Sequence, residues 1–189
     1  MSTIQPSEVQ WFLSNPTAVT GFSGTGAPGN SLGKYLSTTQ INVSTTLDNL
    51  FLDATGQMNA AQEVDYQCLF LCNNTATGFT MKNPVVWMPT PFVANTTSTT
   101  QVGSDPIGVV AQNASSAQAQ LISAQSVAPA GVTNFVFPSA SMSQGLAVPD
   151  IPPANCIAIW VKRSLNNLGP TPVSTPDGVA ITVSFQSNA

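Results

Sequence analysis

Few residues in this chain have side chains suited to catalysis, and histidine is absent altogether. Histidine is the commonest general base, so a serine or cysteine triad would have no base to activate its nucleophile. Glu63 and Asp65 are the one close carboxylate pair, and on a strand they would share a face at roughly 7 Å. Because acids at the start of a strand are usually solvated, we predict no catalytic residue and no enzyme activity.

The three cysteines, Cys68, Cys72 and Cys156, are the next candidates. Cys68 and Cys72 lack the second cysteine pair or the histidines that make a zinc site convincing. On one strand they would lie ~13 Å apart, which is too far for a disulfide. The odd count favours reduced thiols buried in the core, although either residue could oppose Cys156 on a neighbouring strand. We therefore predict no metal and no cofactor.

Patterns for binding ligands are equally sparse. Gly21 to Gly33 holds neither Gly-x-Gly-x-x-Gly nor Gly-Lys-Ser/Thr, so its glycines indicate a flexible linker rather than a phosphate-binding loop. Trp87 and Trp160 fall within apolar segments and are expected in the core rather than on a sugar-binding surface. Lys162 and Arg163 end an apolar segment; we expect them in water, with pairing across an interface as the alternative.

The low charge of the chain restricts its partners. Only 6% of the 189 residues are charged, with four basic and eight acidic side chains. Four basic residues cannot neutralise many phosphates, so we predict no nucleic-acid partner. No stretch approaches the ~20 apolar residues that span a bilayer, and Met1 to Pro6 lacks the features of a signal peptide, so we predict no membrane partner.

An almost uncharged polar surface loses little electrostatic hydration when a neighbour covers it. The composition therefore favours a protein that is buried in an assembly, and a secreted domain with a hydroxyl-rich surface is the alternative. The hydrophobic content, 42%, is high enough for a packed core rather than a disordered chain.

The pattern of apolar residues predicts short strands and no long helix. Asp65 to Cys72 and Cys156 to Val161 are apolar on both faces, as central strands are, and Val179 to Phe185 alternates as a half-buried strand does. The weaker strand predictions are Ser37 to Val43, Phe79 to Met81 as a hairpin arm, Val85 to Met88, Thr99 to Val102, Ile107 to Val110 and Thr133 to Phe137. Turns are predicted at Asp53 to Gly56 and Gly103 to Pro106, and a long loop at 111–130.

These strands predict an all-β fold, an antiparallel β-sandwich of jelly-roll or immunoglobulin-like type with an extended N-terminal arm. We assign residues 1–36 to the arm and a Gly/Pro-rich linker, and residues 37–189 to the sandwich domain. The apolar patch Val9 to Leu13 is interpreted either as a first strand at the edge of the chain's own core or as a hook into a neighbouring subunit.

Several short segments share their order with a known family. They are Ser31-Leu32-Gly33, Leu36-Ser37-Thr38, Asp65-Tyr66-Gln67-Cys68, Asp105-Pro106-Ile107-Gly108, Pro129-Ala130-Gly131-Val132, Ile151 to Arg163 and Asp177 to Val183. In these segments the chain resembles small structural proteins from the virion gene modules of tailed bacteriophages. The most specific segment is the strand that ends in Trp160-Val161-Lys162-Arg163 after a proline-rich turn. The chain departs from the family in its lower charge and in a longer Ala/Gln/Ser stretch at 111–128.

The resemblance implies a component of the virion, assembled in the cytoplasm of the host bacterium. We expect a capsid decoration or cement protein that binds and stabilises the shell, with the major capsid protein, copies of itself or both as partners. A head-to-tail connector or tail structural protein is the first alternative. A receptor- or glycan-binding module of a fibre or spike is the second.

Overall fold

The computed structural model describes residues 3–41, 49–76, 78–88, 98–137, 141–166 and 180–188. Within these ranges the chain forms eight strands, one short α-helix and two 3-10 turns, and all strand pairs are antiparallel. The elements are β1 (Val9–Asn15), β2 (Tyr35–Gln40), α1 (Gly56–Ala60), β3 (Val64–Asn73), β4 (Thr80–Trp87), β5 (Ser98–Ala111), β6 (Leu146–Ala147), β7 (Asn155–Leu165) and β8 (Thr182–Asn188). The predicted all-β class is confirmed.

Two sheets face each other and form the predicted β-sandwich. The larger sheet has the order β2-β1-β3-β7-β5, and the smaller has the order β6-β4-β8. Between them lies an aliphatic core to which Leu71, Ile157 and Ile159 contribute from the larger sheet, and Met81 and Val86 from the smaller. Burying such a side chain stabilises the fold by ~1.5–3 kcal/mol relative to exposure, so this core is a main source of stability.

The two strands predicted to be central, β3 and β7, lie in the interior of the larger sheet. They pair continuously from Val64 opposite Ser164 to Asn73 opposite Asn155. Successive side chains on each strand point to opposite faces of the sheet, and both faces are covered. Because both faces are covered, the side chains on both faces of each strand are apolar.

The second face of the larger sheet is covered by loops, which we call the loop layer (residues 16–34 and 111–137). Ala119, Ile122 and Val132 of this layer pack on the sheet together with Phe70 and Trp160. The long loop predicted at 111–130 is therefore confirmed, and a bridge joins its Leu121 to Gly33. The fold has three layers: a small sheet, a large sheet and the loop layer.

The N-terminal residues belong to the sheet, so the chain does not divide into an arm and a domain at residue 36. β1 is an interior strand, hydrogen-bonded to β2 on one side and to β3 on the other. Of the two interpretations of Val9 to Leu13, a strand on the chain's own core is confirmed, although it is interior rather than at an edge. Once β1 pairs on both sides, it cannot also serve as a free hook.

Gly21 to Gly33 is likewise packed rather than a free linker. The Gly21 amide donates to the Ala114 carbonyl at 2.8 Å. Gly33 has a φ of +89°, and a Cβ there would lie 1.8 Å from the Gln120 carbonyl oxygen. Glycine is required at Gly33 because the two halves of the loop layer meet there with no room for a side chain.

A predicted turn and a predicted hairpin are both wrong, because each segment belongs to a longer strand. Gly103 to Pro106 does not reverse the chain, because β5 continues through it and pairs with β7 on both sides of a register shift between Ser104 and Val109. Phe79 to Met81 does not form a hairpin with β3, since both edges of β3 are occupied. Thr80 and Met81 instead belong to β4 together with Val85 to Trp87, and β4 bulges where Asn83 adopts a positive φ of 49°.

The remaining strand predictions are confirmed in part. β2 ends at Gln40, and residues 42–48, including Val43 and Leu47, lie outside the described residues. Asp53 to Gly56 leads into α1, whose first turn is capped by the Thr55 hydroxyl accepting from the Met58 amide at 3.2 Å. Thr133 to Phe137 forms only a bridge between Val136 and Val102. β8 begins at Thr182, and Val179 is outside the described residues.

Candidate functional site

The candidate carboxylate pair does not form an acid–base site. Asp65 is fully buried, and its Oδ2 accepts from the Arg163 Nη2 at 2.7 Å, whereas Glu63 is only half-buried. The guanidinium of Arg163 also lies 4.6 Å from the centre of the Phe51 ring and donates to the Leu52 carbonyl. The expectation that Asp65 and Arg163 are solvated is therefore wrong. Their register opposite each other on β3 and β7 brings them together, and the pair closes one end of the core.

Lys162 and Lys82 also have partners within the chain. Lys162 donates to the Gln101 side chain at 3.0 Å and lies 6.0 Å from the centre of the Phe135 ring, half-buried rather than free in water. Lys82 pairs with Asp150 at 2.8 Å on the surface. The hydrogen bond from Lys82 is the main reason that the pKa of Asp150 lies below its ordinary value.

All three cysteines are free and fully buried, as predicted from their odd number. Their side chains point toward the loop layer, and Cys72 lies directly opposite Cys156 in the register of β3 and β7. Burial raises the pKa of the Cys68 and Cys72 thiols well above the ordinary range. Both thiols therefore stay protonated near neutral pH. Because the thiolate is the reactive form, they are unreactive and act as small apolar core residues.

Trp160 and Trp87 hold elements together. Trp160 is fully buried, and its Nε1 donates to Asp105 Oδ2 at 2.8 Å. Trp87 is half-buried, and its Nε1 donates to the Ser184 hydroxyl at 2.8 Å, which links β4 to β8. The core position predicted for Trp160 is confirmed, and Trp87 lies partly at the surface of the smaller sheet.

Asp105 has a larger role than the turn residue that the sequence suggests. Its Oδ1 accepts from the Ile107 amide at 2.9 Å, which is the local contact expected of an aspartate before proline. Its Oδ2 accepts from Trp160 and also from the Gln120 amide at 2.9 Å. One buried carboxylate thus joins the bulge of β5, the central strand β7 and the loop layer. The sequence gives no indication of the contact with Gln120.

A second buried polar group holds the other half of the loop layer. The Ser31 hydroxyl lies 2.6 Å from the Cys68 carbonyl and 3.0 Å from the Ser14 hydroxyl, and the Ser31 amide donates to Gln67 Oε1 at 2.8 Å. The fully buried Gln118 accepts from the Leu36 amide at 2.8 Å and donates to the carbonyls of Ala111 and Gln112. These polar side chains satisfy backbone groups of the fold, so they are not free to bind a ligand.

Across the part of the chain that the structure describes, no three His, Cys, Asp or Glu side chains come together as metal ligands. No described helix is long and apolar enough to cross a bilayer. The absence of cofactor, nucleic acid and membrane stays a prediction from the sequence.

A groove lies beside β8 on the described surface. It has a volume of about 270 Å³ and lies between the edge of the smaller sheet and the start of the chain. Its lining is mostly apolar and consists of Ile4, Pro6, Val9, Trp11, Thr182, Val183 and Phe185. None of these side chains is ionisable, so the groove suits packing against a neighbour rather than acid–base chemistry.

The fold and these contacts define an antiparallel β-sandwich whose buried charges and polar side chains stabilise the sheet and its loop layer. Comparisons with protein-family models, with curated proteins and with solved structures found no match to this chain.

Proposed function

We propose that the chain is a structural protein of a tailed-bacteriophage particle, and specifically a capsid decoration or cement protein that binds the major capsid protein. It acts by packing against its neighbours rather than by chemistry. A head-to-tail connector or a tail component is the alternative, in which the same sandwich forms a ring.

The observation that carries the proposal is the scarcity of charge on the outside of the fold. Two of the four basic residues, Lys82 and Arg163, form ion pairs within the chain. Asp65 and Asp105 are buried with internal partners. Among the exposed polar side chains that the structure describes, hydroxyl and amide groups far outnumber charged groups. They can form hydrogen bonds across an interface without the cost of desolvating an ion.

The contacts among the segments that carry the resemblance give further support. Ser31 bonds to Gln67 and Cys68, Asp65 to Arg163, and Asp105 to Trp160, each contact joining two different segments. In a protein that shares the family's fold, these residues would maintain the sheet and leave the outer surface free to differ between partners.

Such a protein would stabilise a shell through many weak contacts repeated by symmetry. Each contact adds little alone, but copies bound on a symmetric lattice reinforce one another through avidity. Binding of purified protein to particles that lack it should change little between about 50 and 500 mM salt, because neutral contacts are not screened. A steep loss of binding with salt would contradict a neutral interface.

The experiment that tests the proposal is the copy number of the protein in purified particles. Quantitative mass spectrometry with isotope-labelled peptides gives its ratio to the major capsid protein. Hundreds of copies support the decoration protein, and about a dozen support a ring at the neck or tail. Absence from washed particles would overturn the proposal for the virion altogether.

A further inference from the structure

The four outer edges of the two sheets are not protected equally. The outer edge of β2 bonds to the loop layer, since Ser23 donates to Leu36 and Thr38 donates to Gly24. The outer edge of β5 exchanges two bonds with Val136, at 3.0 and 2.9 Å. β6 is only two residues long. β8 pairs with β4 on one side, and no described backbone group bonds to its other side.

The sequence of β8 also lacks the features that usually keep an edge strand from pairing. Native edges are blunted by charged side chains, prolines or bulges. β8 reads Thr-Val-Ser-Phe-Gln-Ser-Asn and contains neither charge nor proline. An open edge presents amide and carbonyl groups at strand spacing, so its natural ligand is another extended strand.

We propose that β8 is a self-association edge, at which β8 of a second copy of this chain adds as an antiparallel strand. A register centred on Ser184 is self-complementary, because Val183 of each copy then lies beside Phe185 of the other. Pairs of an aromatic and a β-branched residue are favourable across antiparallel strands. Thr182 would face Gln186, so no charges are opposed and no ionic partner is needed.

The groove beside β8 favours a second copy over a polar peptide. Val183 and Phe185 line it together with Val9 and Trp11. A strand added at this edge extends the smaller sheet over the groove and places its own Val183 and Phe185 on the same apolar side. The two copies would then close two identical grooves about a twofold axis. This inference rests on β8 and the groove alone and holds whether or not the chain is a virion protein.

The test uses charge at the centre of the register. Ser184→Lys places two lysines opposite each other, and Ser184→Glu places two glutamates there. We expect either substitution to weaken self-association of the full chain by about fivefold or more, measured by sedimentation velocity across a concentration series. An equimolar mixture of the two variants should recover the dimer, because lysine then opposes glutamate.

Ser184→Ala is the matched control, since it also loses the bond from Trp87 without adding charge. It should dimerise like the wild type, and circular dichroism checks that every variant is folded. Ser184→Cys gives a second measurement, because identical residues on the axis should form an intermolecular disulfide when treated with a copper–phenanthroline oxidant. A wild-type chain that stays monomeric at high concentration would overturn the proposal. So would a dimer that both charged variants leave intact.

Discussion

The two faces of the larger sheet are covered in different ways. The face toward the smaller sheet is aliphatic, with side chains such as Leu69, Leu71 and Ile159 packed against Met81 and Val86. The other face lies under the loop layer, whose irregular backbone leaves amides and carbonyls that a sheet would have paired. The buried side chains of Gln118 and Asp105 bond to such groups, the Gln112 carbonyl and the Gln120 amide, and the buried Ser31 hydroxyl of the loop layer bonds to the Cys68 carbonyl of β3.

The difference shows two ways to bury a sheet. A second sheet satisfies its own backbone and needs only apolar side chains, so substitutions there should matter through volume. A layer of loops needs buried polar side chains, and removing one leaves its partner without a hydrogen bond. The face toward the loops should therefore depend on individual polar atoms more than on volume.

The largest effect is expected from deleting residues 1–33, which removes β1 from the middle of the sheet and half of the loop layer. Both faces lose cover, so we expect no cooperative thermal transition by circular dichroism. Trp11→Ala is the control, because Trp11 is half-buried on β1 and its loss should leave the fold intact. A truncated chain that melts like the full chain would restore the interpretation of 1–36 as a separate arm.

On the aliphatic face, Leu71→Ala should lower the free energy of unfolding by ~2–5 kcal/mol, through lost burial and the cavity left behind. Leu71 is fully buried near the end of β3. Ile159→Val, on the same face of β7, should cost only ~0.5–1.5 kcal/mol because one methylene is lost. Urea denaturation measures both. Equal losses for the two variants would contradict a dependence on volume.

The same contrast explains what could be predicted from sequence. The runs of apolar residues allow β3 and β7 to be predicted as strands. Because neither strand has a polar face, the burial of both faces can be predicted as well. β1 was obscured by its position among glycines, prolines and serines near the N-terminus. The loop layer depends on contacts such as Ser31 with Gln67 and Leu36 with Gln118, 36 and 82 positions apart. No local pattern indicates such pairs.

The charged residues illustrate the same limit. The sequence predicts that Asp65 and Arg163 are solvated, because each lies at one end of an apolar segment. Asp65 is buried and Arg163 largely so, because the register of β3 and β7 places them opposite each other and aligns the ends of the two strands. Registers between distant strands are set by the whole fold, so the pair is visible only in three dimensions.

On the face toward the loops, Asp105→Asn tests dependence on a single polar atom, because it changes almost no volume. All three described partners of Asp105 are N–H donors, so an amide nitrogen would confront a donor. We expect a loss of ~1–3 kcal/mol in urea denaturation. Trp160→Phe combined with Asp105→Asn should cost less than the sum of the two, since they remove the same bond. If the two losses of unfolding free energy were strictly additive, Asp105 and Trp160 would not be energetically coupled.

Asp150→Asn makes the same substitution at the surface, and we expect it to have the smallest effect on stability. It accepts from Lys82 and from the Asn83 amide at the bulge of β4, both at 2.8 Å, but it is exposed to solvent. Its pKa in the folded state is lowered, chiefly by the Lys82 hydrogen bond. Its contribution is therefore fully present above the ordinary carboxyl pKa of about 4 and is lost as the pH falls through the lowered value.

We expect Asp150→Asn to lower the melting temperature only slightly at pH 7, because exposed ion pairs contribute little. The difference from the wild type should shrink as the pH is lowered below about 4, where the wild-type carboxylate is itself protonated. Lys82→Gln should reproduce the small loss at neutral pH. If Asp150→Asn cost as much as Asp105→Asn at pH 7, burial would not be what distinguishes the two aspartates. The loop layer would then have no special dependence on its polar atoms.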